Sequence, residues 1–295
     1  MRMRWENLPQ PLRADMETYL GAVVKAESRA IGPARCVTAR LLHESGAGTW
    51  LKACPADHPA AWLYERERQA GRILPIVVPA PRMPWSSADH GWIALAHTYV
   101  DGSPAVLSPG SRDVPGVLAT IARLGDLLTP CPPGVPPLSS YITRMLAKAY
   151  AMLDDDSALP KGDRAMYRAA LDGLDVAGLE GDTLLHYEMH TGAFRMVGRS
   201  VFVLDWGFAC QGATWFDAVM FTPWLISAGH PPQQAENSLM DMREWRSAPG
   251  DLVTGLAALW TLFRLYKAVY GPESARAGYQ SEARAGYTWL KHRLA

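Results

Sequence analysis

The residues best suited to chemistry lie in one stretch, His186-Tyr-Glu-Met-His-Thr-Gly-Ala193, followed shortly by Val203-Leu-Asp-Trp206. His186, Glu188 and His190 alternate, so on a strand two imidazoles and a carboxylate would share one face and offer a site to zinc, iron or manganese. Asp205 reads either as a strand-end cap or as a carboxylate facing a metal or nucleotide. Far upstream, Lys52 and Glu67 bring opposite charges to neighbouring elements. Taken alone they read as an ion pair, a type that contributes about 0–1 kcal/mol at a surface.

These groups need elements to hold them. Cys36–Leu42 and Thr49–Cys54, separated by the turn-forming Glu44-Ser-Gly-Ala-Gly48, predict a hairpin with Lys52 on its second strand. Asp57 as N-cap and Pro59 in the first turn predict a helix to about Arg72, with Trp62, Leu63, Ala70 and Ile73 on its buried face. That helix carries Glu67. Leu74–Val78 and Trp92–Tyr99 are expected to complete a small antiparallel sheet, and Val100-Asp-Gly-Ser-Pro104 to link it to the rest of the chain.

Beyond that linker the pattern predicts helices over Asp113–Leu128, Ser139–Leu153 and within Gly162–Leu174. A short β island comes next at Thr183–Asp205, with a hairpin turning at Gly198-Arg199, and from Trp215 the chain reads as helices again. Met240, Met242, Trp245, Trp260 and Trp289 are read as core or groove lining, and Asp154-Asp-Asp156 as a solvated helix end.

Composition narrows the function. Lys+Arg and Asp+Glu are equal at 29 each, so the charge that phosphate-backbone binding requires is missing and nucleic acid is not an expected partner. The four cysteines are scattered without a C-x-x-C pair, which points to neither a disulfide framework nor a zinc knuckle. A reducing cytoplasm is expected. The N-terminus lacks an apolar secretion segment, and the apolar run Leu256–Phe263 is too short to span a bilayer before Arg264, so no membrane association is expected. There is no Gly-x-Ser-x-Gly elbow and no dinucleotide fingerprint.

The ordered set Lys52, Glu67, Leu95–Tyr99, His186–Ala193 and Asp205 resembles the aminoglycoside phosphotransferase and choline-kinase-like family. Its catalytic loop usually reads His-Gly-Asp-x-His-x-x-Asn, and Ile/Val-Asp-Trp comes some dozen residues later. The resemblance runs from about Val23 to about Leu225. It implies an α+β, two-lobed protein-kinase-like fold: a small antiparallel β lobe over 1–99, a hinge at 100–104, and a larger, mainly helical lobe over 105–295 with a β hairpin, the catalytic-loop-like segment spanning 183–207. It implies that Lys52 contacts nucleotide phosphates, Glu67 orients Lys52, Asp205 holds magnesium, Glu188 stands where the catalytic Asp does, and Asp217 is structural. Leu95–Tyr99 would pair with adenine. ATP or GTP with magnesium would be the cofactors, and a hydroxyl on a small molecule or peptide the acceptor.

The loop departs from the family at chemically demanding positions. Glu188 adds a methylene to the Asp position, displacing the carboxylate by roughly 1 Å, and a misplacement of that order costs about a hundredfold. Ala193 replaces the Asn that ligates magnesium. Tyr187 replaces a Gly, near where a substrate would approach. Arg29-Ala-Ile-Gly-Pro33 has one glycine where the phosphate-covering loop tends to have several. Three readings therefore stand: a working phosphotransferase, a pseudokinase acting as a binding or assembly subunit to a protein partner, and a kinase-fold cleft repurposed for peptide natural-product modification.

Overall fold

Strand alternation decides how the N-terminal sheet is covered. The computed structural model describes residues 3–29, 32–155 and 159–295. Helix α1 (Gln10–Leu20) leads into β1 (Val23–Ser28), β2 (Val37–His43) and β3 (Gly48–Pro55). Helix α2 (Ala61–Ile73) comes after them, and then β4 (Trp85–Ser87), β5 (Trp92–Thr98) and the two-residue β6 (Ser103–Pro104). The first five strands form an antiparallel sheet in the order β1-β2-β3-β5-β4. Successive side chains point to opposite faces. Val37, Ala39, Leu41, Leu51, Ala53, Ala94 and Ala96 accordingly pack with Leu12 and Met16 of α1. Cys36, Cys54, Ile93 and Leu95 pack with Ala61 and Tyr64 of α2.

Three details differ from the sequence expectation. Leu74–Val78 is not a strand; Pro75 lies within it and Pro79 follows it, and a proline has no N–H to give a ladder, so Trp85–Ser87 takes the place beside β5. Helix α2 starts at Ala61, with Ala60 rather than Asp57 before it. Its buried face is Ala61, Tyr64, Glu67 and Ala70, whereas Trp62 is 48% exposed and lies edge-on to Phe208 at 5.6 Å.

Beyond β6 the chain continues through α3 (Asp113–Leu127), α4 (Leu138–Asp154), α5 (Lys161–Asp172), β7 (Thr183–Leu185), the hairpin β8 (Phe194–Val197) and β9 (Ser200–Val203), and β10 (Cys210–Gly212). It ends with α6 (Phe216–Ser227), α7 (Pro232–Leu239), α8 (Arg243–Ser247), α9 (Gly250–Tyr270) and α10 (Glu273–Arg293). Gly198, at φ +59°, supplies the left-handed residue of the hairpin turn. Strand β7 pairs antiparallel with β10.

The chain divides into two compact units. One is Met1–Ser103 together with Arg195–Ala209; the other is Pro104–Phe194 together with Cys210–Ala295. Helix α9 is the one described helix long and apolar enough to cross a membrane. It packs on α10, α4 and α5 and buries Leu256, Leu259, Trp260 and Leu262, which is how a core helix behaves.

Candidate functional site

In the first unit, alternation along β3 puts Lys52 on the α2 face, two residues from Cys54. Its Nζ donates to both carboxylate oxygens of Glu67, at 2.7 and 2.9 Å, and to Asp205 Oδ1. His97, two positions beyond Leu95 on the same face of β5, brings Nε2 to 3.3 Å from Glu67. Burial alone would push the Lys52 ammonium down, but the two carboxylates outweigh it and hold the pKa above its ordinary value. Burial likewise pushes the Glu67 carboxyl up. The Lys52 ammonium and His97 prevail, and it stands at about 2.

The segment bearing Asp205 is tied to α2. Arg66 donates to the Ala209 carbonyl at 2.9 Å, and a Cβ on Gly207 would lie 2.7 Å from Leu63 Cδ1. Any larger residue there would force the Leu63 side chain to shift. Asp205 adopts φ +63°, ψ +56°, a left-handed conformation that costs a non-glycine residue about 1–2 kcal/mol, and its side chain stays 47% exposed. The carboxylate thus faces solvent beside a fixed ammonium.

Magnesium is held through one or two carboxylates completed by phosphate oxygens and water. Asp205 fits that minimal donor set. Thr98 N–H donates to Arg82 O at 2.7 Å and Tyr99 N–H to Gly48 O at 2.9 Å, so these two amides of Leu95–Tyr99 are already engaged within the protein. Residues 30 and 31, in the expected phosphate-covering loop, lie outside the described residues, as does Asp156 of the acidic helix end.

In the second unit, residues 186–190 are irregular backbone rather than strand. Tyr187 turns left-handed at φ +72°, which breaks the alternation. His186, Glu188 and His190 do not converge as metal donors among the described residues, so the imidazole–carboxylate metal site falls away. His190 Nδ1 instead accepts the Gly192 N–H at 3.0 Å.

Asp217 organises this loop. Its carboxylate accepts the His186 N–H at 2.7 Å and the Tyr187 N–H at 2.9 Å. Burial pushes the carboxyl up and those two hydrogen bonds pull it back, leaving it at about 6. The Tyr187 ring stacks with Phe216 at 5.9 Å and meets Tyr141 at 4.9 Å, and its hydroxyl donates to Met145 Sδ at 3.0 Å. Glu188 is half-buried and lines a depression with Tyr187, Met145 and Trp224. Ala193 and Phe194 are wholly buried, Phe194 edge-on to Phe221.

Sequence reasoning missed His97 and the thiol cluster. Cys36, Cys54 and His58 place one donor atom each within 4.8 Å of one another, although no motif spacing announces them. His58 Nδ1 already accepts the Ala60 N–H at 3.1 Å, so the cluster is satisfied from within. The cross-strand register, which sets Val37 opposite Ala53 and hence Cys36 beside Cys54, is the signal that would have found the two thiols.

Comparison with known proteins gives the family and the fold. Residues 41–248 match the family described as "Phosphotransferase enzyme family". No curated protein matches the sequence significantly. Among solved structures, a thermostable mutant of aminoglycoside phosphotransferase APH(4)-Ia, in complex with AMP-PNP and hygromycin B, superposes with TM-score 0.64 at 17% identity, over 95% of this chain and 99% of that one. Choline kinase LicA from Streptococcus pneumoniae gives 0.65 at 12%, over 96% and 98%. Macrolide 2'-phosphotransferase MphH from Brachybacterium faecium gives 0.62 at 17%, over 94% and 98%. At such identities the likeness is one of fold, here the kinase-like fold.

Proposed function

Because this chain belongs to the phosphotransferase enzyme family, we propose that it transfers the γ-phosphoryl group of ATP or GTP to a hydroxyl of a small molecule or peptide. The observation that carries the reading is the Lys52 ammonium shared by the buried Glu67 and the exposed Asp205. A phosphate neutralised by Lys52 would lie beside the carboxylate that holds magnesium. Magnesium, when bound, supplies charge neutralisation of the β- and γ-phosphate oxygens.

The remaining roles belong to this chain's own groups. Glu67 fixes the direction of Lys52 through two hydrogen bonds, and His97 adds a second partner to that carboxylate. Glu188 accepts the proton of the acceptor hydroxyl, and Asp217 holds the loop on which Glu188 stands. Solved neighbours of the fold carry AMP-PNP with hygromycin B, or ADP with spectinomycin, which supports a nucleotide and a small acceptor together.

A second reading is nucleotide binding without transfer, as a pseudokinase. Ala193 favours it, being fully buried and offering no side-chain oxygen to a metal. Thermal-shift titration with ATP, GTP and ADP, with and without magnesium, decides the first step. Nucleotide at about a hundred times its dissociation constant raises stability by about 2.7 kcal/mol. Magnesium-dependent phosphoryl transfer abolished by Glu188→Gln supports the transferase; a shift with no transfer supports the binding module, and no shift refutes both.

A further inference from the structure

Glu188 opens onto a narrow depression whose lining is otherwise nearly all apolar. Met145, Met220 and Trp260 form its floor, and the half-buried rings of Trp224 and Phe263 its accessible wall. Glu188 is the one acid and Arg264 the one base among the lining residues.

Arg264 is 7% exposed and held between rings, its guanidinium carbon 5.0 Å from the Trp260 centroid and 5.2 Å from that of Trp224. It touches Glu282 at 3.1 Å, yet its Nε–H meets no hydrogen-bond acceptor among the described residues. That nitrogen is closed off from the depression, so it is the charge of the guanidinium, partly offset by Glu282, that a ligand oxygen would meet. Lys148 and Lys267 add two more cations, 5.2 and 5.4 Å from the Phe263 ring. A polycation would meet like charge here; a flat apolar body with an anionic pole would not.

We propose that this depression binds the phosphoryl acceptor, and that the acceptor is an aromatic or alicyclic alcohol carrying a carboxylate. Its ring lies against Trp224 and Phe263, its carboxylate reaches the Arg264 guanidinium, and its hydroxyl stands at Glu188. The inference rests on the phosphoryl-transfer reading above. In the step, the acceptor oxygen forms a bond to the γ-phosphorus while the bond to the β–γ bridging oxygen breaks. The electron pair leaves with the nucleoside diphosphate, and the hydroxyl proton passes to Glu188.

Isothermal titration calorimetry with three probes tests the class: 4-(hydroxymethyl)benzoate, its methyl ester, and the cationic 4-(aminomethyl)benzyl alcohol. The carboxylate is expected to bind at least about tenfold more tightly than the cation, the scale of one charge-assisted contact. Arg264→Met erases that preference while leaving the ester unchanged, and Arg264→Lys keeps part of it. Equal or tighter binding of the cation, or equal losses for acid and ester in Arg264→Met, overturns the proposal. If circular dichroism finds Arg264→Met unfolded, the wild-type ranking and Arg264→Lys decide, the proposal failing if the lysine variant retains the full preference. Selective binding of the acid without magnesium-dependent ATP consumption upholds the subsite and refutes the phosphoryl-transfer reading instead.

Discussion

Lys52 and Asp205, 153 positions apart in sequence, form an ion pair, and the same ammonium is held from its other side by Glu67. The two carboxylates differ in burial, so their losses should differ. Asp205 is 47% exposed, and its removal leaves Lys52 bound to Glu67. Asp205→Asn is therefore expected to change stability by less than about 1 kcal/mol while removing the magnesium dependence of nucleotide binding. Thermal unfolding with ATP, with and without magnesium, reads both effects.

Glu67 is nearly buried, and its loss leaves the buried ammonium with only the half-exposed Asp205. Glu67→Gln is expected to destabilise the protein by about 1–3 kcal/mol, more than Asp205→Asn. The pH dependence has a definite sign: the folded carboxyl lies at about 2 against an ordinary 4.5, so its stabilisation is complete above about 4.5 and lost as pH falls toward 2. Urea unfolding from pH 6 to pH 2 should show an acid limb that is shallower in Glu67→Gln.

Asp217 slopes the other way. Its carboxyl lies at about 6 when folded against an ordinary 3.8, so its contribution is present below about 3.8 and lost as pH rises through 6. Asp217→Asn substitutes an NH₂ for one of the oxygens that meet the His186 and Tyr187 N–H groups. One backbone donor is then left unmet, at a cost of about 1–3 kcal/mol. The variant should lose the stability slope between pH 4 and pH 6, and hydrogen exchange should quicken at the amides of His186 and Tyr187.

The order Lys52, Glu67, Asp205 was legible because strand alternation and the helix after the hairpin are local patterns. That all three meet was an inference from family likeness, since nothing local brings residue 205 to residue 52. Trp62 misled because apolar spacing assigned it to the buried face, whereas the helix turns Glu67 inward toward Lys52 and leaves Trp62 to cover Phe208. His97 and Arg264 were illegible for a related reason: each is a polar residue inside an apolar run, and its partners lie on other elements. Likewise the alternation of His186, Glu188 and His190 held meaning only on a strand, and the left-handed turn at Tyr187 removes it.

Tyr187 sets backbone strain against packing. At φ +72° a tyrosine bears roughly 1–2 kcal/mol that a glycine would not. Its ring, however, packs with Phe216 and Tyr141, and truncating a buried aromatic costs about 3–5 kcal/mol. Packing outweighs strain, so Tyr187→Gly is expected to destabilise the protein by a net of about 1–4 kcal/mol, despite restoring the residue that the family usually has there. Tyr187→Phe keeps the contacts with both rings and loses the hydroxyl bond to Met145, a change of under about 1 kcal/mol. Tyr187→Ala keeps the strain and loses the ring, so it should be the least stable of the three. Chemical denaturation of the series should rank Phe above Gly above Ala. If Gly proved as stable as the parent, the ring would hold nothing in place, and the loop bearing Glu188 would owe its form to Asp217 alone.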